Sequence, residues 1–361
     1  MTSYPGTRGL LRGGLWIKRT PSVFSPAQVN QWLSKIKFPG DISSFEPSLD
    51  NLCLLARLSL TTFPFENTPM HYTASHSMDI TYEGLYQRMV GSSEGKGSYC
   101  FGLNGLFFQM LKGLGFRVYA GSGRINEQAP GVAPIFHAFV HMILFVQPIE
   151  GSNTTYFVDV GAGPVCPILL EEGEVVMGAT PSEHHTLTRT ARADSSLESS
   201  PNSQTPEKFE WRLESVHEGQ DPTQPGTSRV MYFFIEDEFF DADYRAFNYS
   251  VIGLTAGLFW ENVVCTKFFW MSDEEMREVD GEKSAVDPVA LTPLTRYLGR
   301  LAMAGDAVRR HVGTETTVLR VLKSEVERAE ALKEFFGISI PHEDLKYIRG
   351  RGAELKGSID R

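Results

Sequence analysis

The chain has 361 residues, of which 42% are hydrophobic and 22% are charged, and its formal net charge is −10. This length allows two or three domains, and the composition is that of a globular protein. The negative charge argues against a nucleic-acid-binding protein, because neutralising phosphates requires a basic surface. The sequence has neither a run of about 18 apolar residues nor the long apolar segment of a signal peptide. We therefore expect a cytoplasmic protein that binds neither nucleic acid nor membranes.

Residues 1–24 are predicted to form an N-terminal extension. Several basic residues precede the first acidic one there and just beyond: Arg8, Arg12, Lys18, Arg19, Lys35 and Lys37. A transit peptide can have this pattern, but Gly and Pro interrupt it, so we favour a plain extension.

Residues 25–115 show a helical pattern. Ser25 followed by Pro26 is a helix start signal, with Pro at the first helical position. Apolar residues recur at helical spacing near Leu55, and again over residues 101–114 before Gly115 ends the pattern. The sequence predicts a helical domain over this range.

Residues 116–237 change to strand patterns separated by turns that contain Gly and Pro. Predicted strands cover residues 117–121, 138–146, 155–160, 174–177, 209–213 and 229–235. A Ser-rich segment at about 190–208 is predicted to be a disordered insertion, and residues 220–228 a second loose loop.

The rest of the chain is predicted to alternate helices and strands. A helical connector over 238–265 precedes a C-terminal α/β lid domain over 266–361, with an acidic segment at 272–287 and a closing helix at 324–336. The expected fold class is α+β in three blocks: a helical bundle, a β-barrel-like domain and the lid.

The four cysteines are scattered and include no C-x-x-C pair, which disfavours a zinc site or a disulfide scaffold. Cys53, Cys166 and Cys265 lie among apolar residues and are interpreted as small buried hydrophobes. Cys100 differs, because Gly97 and Ser98 precede it and a predicted helix begins beside it.

Cys100 is followed by a histidine in a strand and by Asp159 at a strand end, an order that can assemble a thiolate nucleophile. The imidazole would accept the thiol proton, and the carboxylate would orient the imidazole. His137 and His141 are both candidates, since residues four apart on a strand share a face. A metal site at these histidines lacks a third ligand at suitable spacing, so no metal is expected.

The flanking motifs resemble those of the arylamine N-acetyltransferase family. The segment Lys96-Gly97-Ser98-Tyr99-Cys100, followed by Asn104, is similar to the family's Arg-Gly-Gly-x-Cys nucleophile motif. The other matching segments are Phe63-Pro64-Phe65-Glu66-Asn67, His141-Met142-Ile143-Leu144 and Val158-Asp159-Val160-Gly161-Ala162-Gly163. The resemblance selects His141 over His137 and runs from about residue 25 to the end of the chain.

The resemblance implies a cysteine-protease-like catalytic core and a ping-pong transfer of an acyl group from acyl-CoA to an arylamine, arylhydroxylamine or hydrazine, as in detoxification. The implied catalytic residues are Cys100, His141 and Asp159. Val160, Gly161, Gly163 and Gly257 are the implied CoA-contacting positions, and Phe65 and Phe101 the candidate acceptor wall. No metal or macromolecular partner is implied, and we expect a monomer or weak homo-oligomer.

Several positions depart from the family pattern. Lys96 keeps a charge but lacks the planar fork of arginine. Ser98 replaces a glycine, Gly102 stands where relatives often carry Glu or Gln, and Gly257 removes bulk near the acyl group. Acetyl-CoA is the favoured donor, and malonyl-CoA, used by some fungal-type members, is the alternative.

Two further hypotheses remain open on the sequence alone. A cysteine hydrolase or amidase would use water in place of the amine and would need no CoA. A non-catalytic binding protein would retain a reactive thiol without turning over any acyl-CoA.

Overall fold

The computed structural model describes residues 8–161, 163–192, 194–197, 210–218, 226–280 and 292–355. Residues 198–208 of the predicted Ser-rich insertion lie outside the described residues, as do 220–225 of the second predicted loop and 281–287 of the acidic segment. The described part is a mixed helix and sheet fold, as the sequence predicts.

The first third of the chain is mainly helical. Ser25 caps the first helix: its side chain accepts from the Gln28 amide, while the Gln28 side chain accepts from the Ser25 amide. The helices of this part are α1 (Pro26–Lys35), α2 (Leu49–Thr62), α3 (Pro69–Tyr72), α4 (Tyr82–Tyr86) and α5 (Cys100–Gly113).

Helix α5 lies at the centre of the molecule. Its apolar residues are buried around almost the whole circumference, which is typical of a helix inside a core rather than on a surface. It packs against strands β2 (Arg117–Ile125) and β3 (His141–Gln147). The first turn of α5, and with it Cys100, is therefore fixed from several sides.

Eight antiparallel strands form a near-barrel sheet in the order β5-β4-β3-β2-β9-β8-β7-β6. The remaining strands are β4 (Tyr156–Val158), β5 (Ile168–Leu169), β6 (Val175–Met177), β7 (Glu183–Thr190), β8 (Glu210–His217) and β9 (Thr227–Phe234). Successive side chains point to opposite faces: Val118 and Ala120 belong to the core around α5, whereas Tyr119 belongs to a second core on the other face.

A second sheet contains five strands in the order β1-β10-β11-β12-β13. Its members are β1 (Phe65–Glu66), β10 (Cys265–Trp270), β11 (Leu298–Ala304), β12 (Ala307–Val312) and β13 (Glu315–Val321). The short β1 comes from the predicted helical region yet pairs with β10, so the first third of the chain contributes a strand to the C-terminal sheet.

Short helices connect and cover the two sheets. They are α6 (Asp241–Ile252), α7 (Leu258–Glu261), α8 (Asp273–Asp280) and α9 (Glu325–Ala331), with a π-helical turn at Leu332–Phe336 and a 3-10 helix at His342–Ile348. The predicted closing helix is thus an α-helix that ends in a wider turn. Within the described ranges, no helix has the length and apolar character needed to cross a membrane.

Candidate active site

The loop before α5 is held against β1, and this contact fixes where the helix starts. Ser98 forms a parallel bridge with Phe65, and the Glu66 amide donates to the Ser98 carbonyl at 3.0 Å. A Cβ at position 97 would lie 1.7 Å from the Pro64 carbonyl oxygen, so only glycine permits this approach. Cys100 then begins α5 directly after the extended Tyr99.

His141 and Asp159 come from neighbouring strands. His141 is the first residue of β3, and Asp159 follows the last residue of β4, which pairs with β3 in antiparallel register. The Nε2 atom of His141 lies 2.6 Å from Oδ2 of Asp159. Cys100 is close enough to the same imidazole to contribute to its raised pKa, and its Sγ lies 3.7 Å from the carbonyl oxygen of Val140, the residue before His141. The three predicted residues therefore meet in the order thiol, imidazole, carboxylate.

The Asp159 carboxylate is surrounded by hydrogen-bond donors. The Tyr232 hydroxyl donates to Oδ2 at 2.7 Å, and Oδ1 accepts from Asn104 Nδ2 at 2.8 Å and from the Gly161 amide at 2.7 Å. Asn104 also donates to the Met142 carbonyl and accepts from the Val160 amide. These bonds hold the carboxylate in one orientation and stabilise its ionised form.

The charges of the site reinforce each other. Burial alone lowers the pKa of His141, but the adjoining Asp159 carboxylate raises that pKa well above its ordinary value. Burial alone raises the pKa of Asp159, whereas His141 and the bonds from Asn104 and Tyr232 bring it below its ordinary value. An imidazolium beside the sulfur stabilises a thiolate.

The site is enclosed. Cys100 is 4% exposed, and His141 and Asp159 are each 2% exposed. Aromatic rings lie around the start of α5: Phe259 packs against both Phe65 and Tyr99, with ring centroids about 6 Å apart. Low water content around the sulfur strengthens every electrostatic interaction there.

The two candidate acceptor-wall residues have different surroundings. Phe65 is half-buried at the edge of β1 and contacts Phe259, a residue of the α6–β10 connection. Phe101 is 2% exposed and packs against Tyr99 and Tyr244 as part of the core. Phe65 is therefore the better placed of the two to meet a bound molecule.

The glycines after Asp159 allow close packing within the site itself. A Cβ on Gly161 would lie 2.8 Å from the Cys100 Cα, and one on Gly163 would lie 2.6 Å from the Asp159 Cβ. Val160 is buried, whereas Gly257 lies in an exposed loop with a φ of +88°. A contact of these four positions with CoA stays a prediction.

Two of the unusual residues near the nucleophile are in contact with each other. A Cβ on Gly102 would lie 2.1 Å from Ser98 Oγ and 2.5 Å from Ser98 Cβ, so the serine occupies the space of a larger residue 102. Ser98 is fully buried. Lys96 points away and forms an ion pair with Glu94 at the surface.

The structure also shows where the residues of the alternative hypotheses lie, namely His137, the metal-ligating residue types and the other cysteines. His137 is exposed and pairs with Glu127, with Nε2 2.7 Å from the carboxylate. Across the part of the chain that the structure describes, no three His, Cys, Asp or Glu side chains form a group that could hold a metal ion. All four cysteines are free thiols, with Cys53 and Cys166 half-buried and Cys265 buried.

Sequence reasoning missed Tyr232 and Arg88. Tyr232 reaches Asp159 from a strand 73 residues farther along the chain. Arg88 donates to the carbonyl of Gly97 and pairs with Glu66. Neither residue lies in a local motif, so only the tertiary fold reveals them.

The chain is similar to known proteins along most of its length. A family model described as N-acetyltransferase matches residues 48–271. The N-malonyltransferase FDB2 of Fusarium pseudograminearum is 26% identical over 354 residues, which cover 91% of this chain and 93% of that protein. An arylamine N-acetyltransferase of Mycolicibacterium smegmatis is 34% identical over 147 residues, 40% of this chain and 50% of the relative.

Solved structures show the same fold. The arylamine N-acetyltransferase of Mycobacterium marinum aligns with a TM-score of 0.64 and 22% identity, covering 88% of this chain and 96% of that one. The structure of the same protein in complex with CoA aligns with a TM-score of 0.60 and 23% identity over 90% of this chain and 96% of that one. The predicted α+β fold class is thereby confirmed.

Proposed function

Because the chain belongs to the arylamine N-acetyltransferase family, whose members transfer acyl groups from acyl-CoA, we propose a ping-pong reaction through an acyl-Cys100 intermediate. The acceptor is the nitrogen of an arylamine, arylhydroxylamine or hydrazine. One observation carries the proposal: the His141 imidazole interacts both with Cys100 and with an Asp159 carboxylate that several donors hold in place.

In the first half-reaction the Cys100 thiolate attacks the thioester carbonyl of acyl-CoA. The C–S bond to Cys100 forms, the bond to the CoA sulfur breaks, and the His141 imidazolium protonates the departing CoA thiolate. Gly102 and Leu103 donate to the Tyr99 carbonyl, so the amides of Cys100 and Phe101 precede the first intrahelical bonds. These two amides are our candidates for holding the negative oxygen of the tetrahedral intermediate.

In the second half-reaction the neutral amine attacks the acyl-Cys100 carbonyl. The new C–N bond forms as the C–S bond breaks, and His141 accepts the proton that the amine nitrogen loses. Asp159 keeps the imidazole in the required orientation and stabilises its positive charge. The product amide leaves, and the thiolate–imidazolium pair is restored.

The acyl donor is the part of the proposed reaction that differs from the expectation based on sequence. The sequence favours acetyl-CoA, with malonyl-CoA as the alternative. The N-malonyltransferase relative aligns along 93% of its own length and 91% of this chain. We therefore propose malonyl-CoA as the preferred donor, with acetyl-CoA as the competitor in the test.

The test is a donor screen by intact-protein mass spectrometry. Purified protein is mixed with malonyl-CoA, propionyl-CoA or acetyl-CoA, without an amine, and the bound acyl group and the released CoA are measured. We expect one malonyl group per chain, which aniline then removes as the N-malonyl product. Cys100→Ala should abolish labelling, and Cys53→Ala, at a half-buried cysteine of α2, should leave it intact.

Different outcomes point to different reactions. Acylation that survives in Cys100→Ala, or no acylation with any of the three donors, would contradict the proposal. Release of CoA at the same rate with and without an amine would identify a hydrolase. Preferential labelling by acetyl-CoA would retain the mechanism and overturn only the choice of donor.

A further inference from the structure

The loop that leads into Cys100 depends on a few polar contacts for its shape. Residues 92–97 lie between a π-helical turn at Gln87–Gly91 and α5. Lys35 Nζ donates to the Ser92 carbonyl at 2.7 Å, and the Gly95 amide donates to the Gly337 carbonyl at 3.0 Å. Nearest to the nucleophile, the loop is held through Gly97 and Ser98.

One guanidinium connects this last part of the loop to β1. Arg88 Nε donates to the Gly97 carbonyl at 2.7 Å, and Arg88 Nη2 forms an ion pair with Glu66 Oε1. The other oxygen of Glu66 accepts from the amide and the hydroxyl of Thr68, each at 2.7 Å. Glu66 is fully buried, and its own amide donates to the Ser98 carbonyl.

Lys96, the nearest basic residue in the sequence, takes no part in this contact. Its ammonium pairs with Glu94, and the two side chains are 30% and 38% exposed. A partly exposed pair of this kind contributes less to positioning than the pair of Arg88 with fully buried Glu66. The buried carboxylate of the Phe65-Glu66-Asn67 segment is instead paired with Arg88, which comes from the preceding helical turn.

We propose that Arg88 is the positioning residue of the nucleophile loop, holding Cys100 in line with His141. The proposal rests on Cys100 as the nucleophile of the proposed function. The two ends of the fork serve two partners at once, which the single ammonium of a lysine does not reproduce. Because Gly97 has no side chain to restrict its backbone, the bond from Arg88 to its carbonyl sets the peptide orientation that leads to Cys100.

The test compares Arg88→Lys with Lys96→Gln in the full-length chain. The first variant keeps the positive charge next to buried Glu66 but loses the fork, and the second removes an exposed charge from the same loop. The first readout is the rate of Cys100 alkylation by iodoacetamide as a function of pH, which needs neither acyl-CoA nor amine. The second is the division of the effect between kcat and KM in acyl transfer.

We expect Arg88→Lys to reduce the alkylation rate at pH 7 and kcat by about tenfold, because a displaced nucleophile loses its alignment with the imidazole. The KM for the donor should stay within about twofold. Lys96→Gln should match the wild type within about twofold in every readout. If Arg88→Lys alters only the unfolding temperature and leaves the alkylation profile and kcat unchanged, the residue is merely structural and the proposal is wrong.

Two controls keep the result interpretable. If Arg88→Lys does not fold, the pair Glu66→Gln with Arg88→Gln removes both charges together, and the same loss of alkylation is expected. The proposed function fails separately: if the wild type is never acylated by an acyl-CoA but its alkylation still depends on Arg88, the positioning role stands without the transferase. A paired variant with wild-type alkylation would overturn the role of Arg88.

Discussion

Two unusual residues beside the nucleophile, Ser98 and Gly102, are complementary in size. They lie four positions apart, and the Ser98 side chain fills the space that a Cβ on Gly102 would need. Ser98 Oγ is buried and has no hydrogen-bond partner among the described residues, so the contribution of this side chain here is steric. A larger residue at 102 is therefore compatible with glycine at 98, and serine at 98 with glycine at 102.

This complementarity predicts strong coupling between the two sites. Gly102→Ala alone should lower the free energy of unfolding by about 1–3 kcal/mol, because the new methyl overlaps both side-chain atoms of Ser98. In a Ser98→Gly background the same change should cost less than about 1 kcal/mol, since two of the three nearest atoms are then gone and the third is the flexible end of Leu85. Urea unfolding of the two single variants and the double variant measures the coupling. Additive effects would show that the two residues are independent.

At the scale of single residues, the sequence predicts the candidate triad better than its surroundings. Cys100, His141 and Asp159 each lie in a contiguous motif, so their positions can be read locally. Tyr232 cannot be found in this way, because its hydroxyl reaches Asp159 only through the pairing of β9 with β8 and β2. Ser98 and Gly102 both depart from the family pattern in the sequence, but only the structure shows that they are in contact, because that contact depends on the geometry of α5.

At the scale of elements, α5 and six of the eight strands of the near-barrel occur close to the predicted ranges. The eight-residue β7 (Glu183–Thr190) and the two-residue β5 (Ile168–Leu169) are strands that the sequence did not predict. β1 has only two residues, Phe65 and Glu66, and two residues have no period. Its existence depends on pairing with β10, about 200 residues later in the chain.

Helix α3, like β1, is too short to show a period in the sequence, since it has only four residues. We expect its stability to depend on His71, which it contains. His71 is fully buried, its Nε2 lies 3.1 Å from the Asn262 carbonyl, and Arg351 donates from Nε to Nδ1 at 3.3 Å. Nδ1 therefore accepts a hydrogen bond, and a proton there would face the guanidinium. Burial and the charge of Arg351 lower the pKa of His71 to about 3.

The lowered pKa predicts how stability changes with pH. Folded His71 stays neutral, whereas in the unfolded chain it binds a proton below about pH 6.5, so acid favours unfolding. As the pH falls from about 6 to about 4, His71 should lower the free energy of unfolding by up to about 1.4 kcal/mol per pH unit. His71→Gln should show a correspondingly shallower dependence of the free energy of unfolding on pH in urea unfolding. A His71→Gln curve parallel to the wild type would contradict this account.

At the scale of the whole molecule, the predicted extension turns out to be joined to the near-barrel. The Ile17 amide donates to Gln147 Oε1 at 2.9 Å, and Gln147 Nε2 donates to the Leu15 carbonyl at 3.0 Å. The Thr155 amide donates to the Gly9 carbonyl at 2.7 Å. The composition of this segment indicates only that it is basic and contains glycines. It does not predict these contacts, because their partners lie about 130 residues farther along the chain.

Two residues of this segment complete the core on the face of the sheet opposite α5. Leu11 is 5% exposed and Ile17 is 8% exposed, and both belong to the cluster that contains Phe145 and Phe157. Cys100 belongs to the core around α5 instead, while His141 and Asp159 border β3 and β4. Leu11 and Ile17 thus support the strands that carry two members of the candidate triad from the face opposite α5, whereas Phe24, at the end of the segment, belongs to the core that contains Cys100.

This arrangement predicts that a change at Ile17 lowers the free energy of unfolding without altering the reactivity of Cys100. Ile17→Ala should lower the free energy of unfolding by about 2–4 kcal/mol, because it removes buried methyl groups and leaves a cavity. Leu15→Ala, two positions away at a residue that is 63% exposed, should change it by less than about 0.5 kcal/mol. At temperatures where both variants stay folded, Cys100 alkylation should match the wild type, since Ile17 lies outside the α5 core. Urea unfolding followed by tryptophan fluorescence, with alkylation rates on the same samples, tests both halves. Equal stability losses at the two positions would show that the segment is held by its backbone bonds alone.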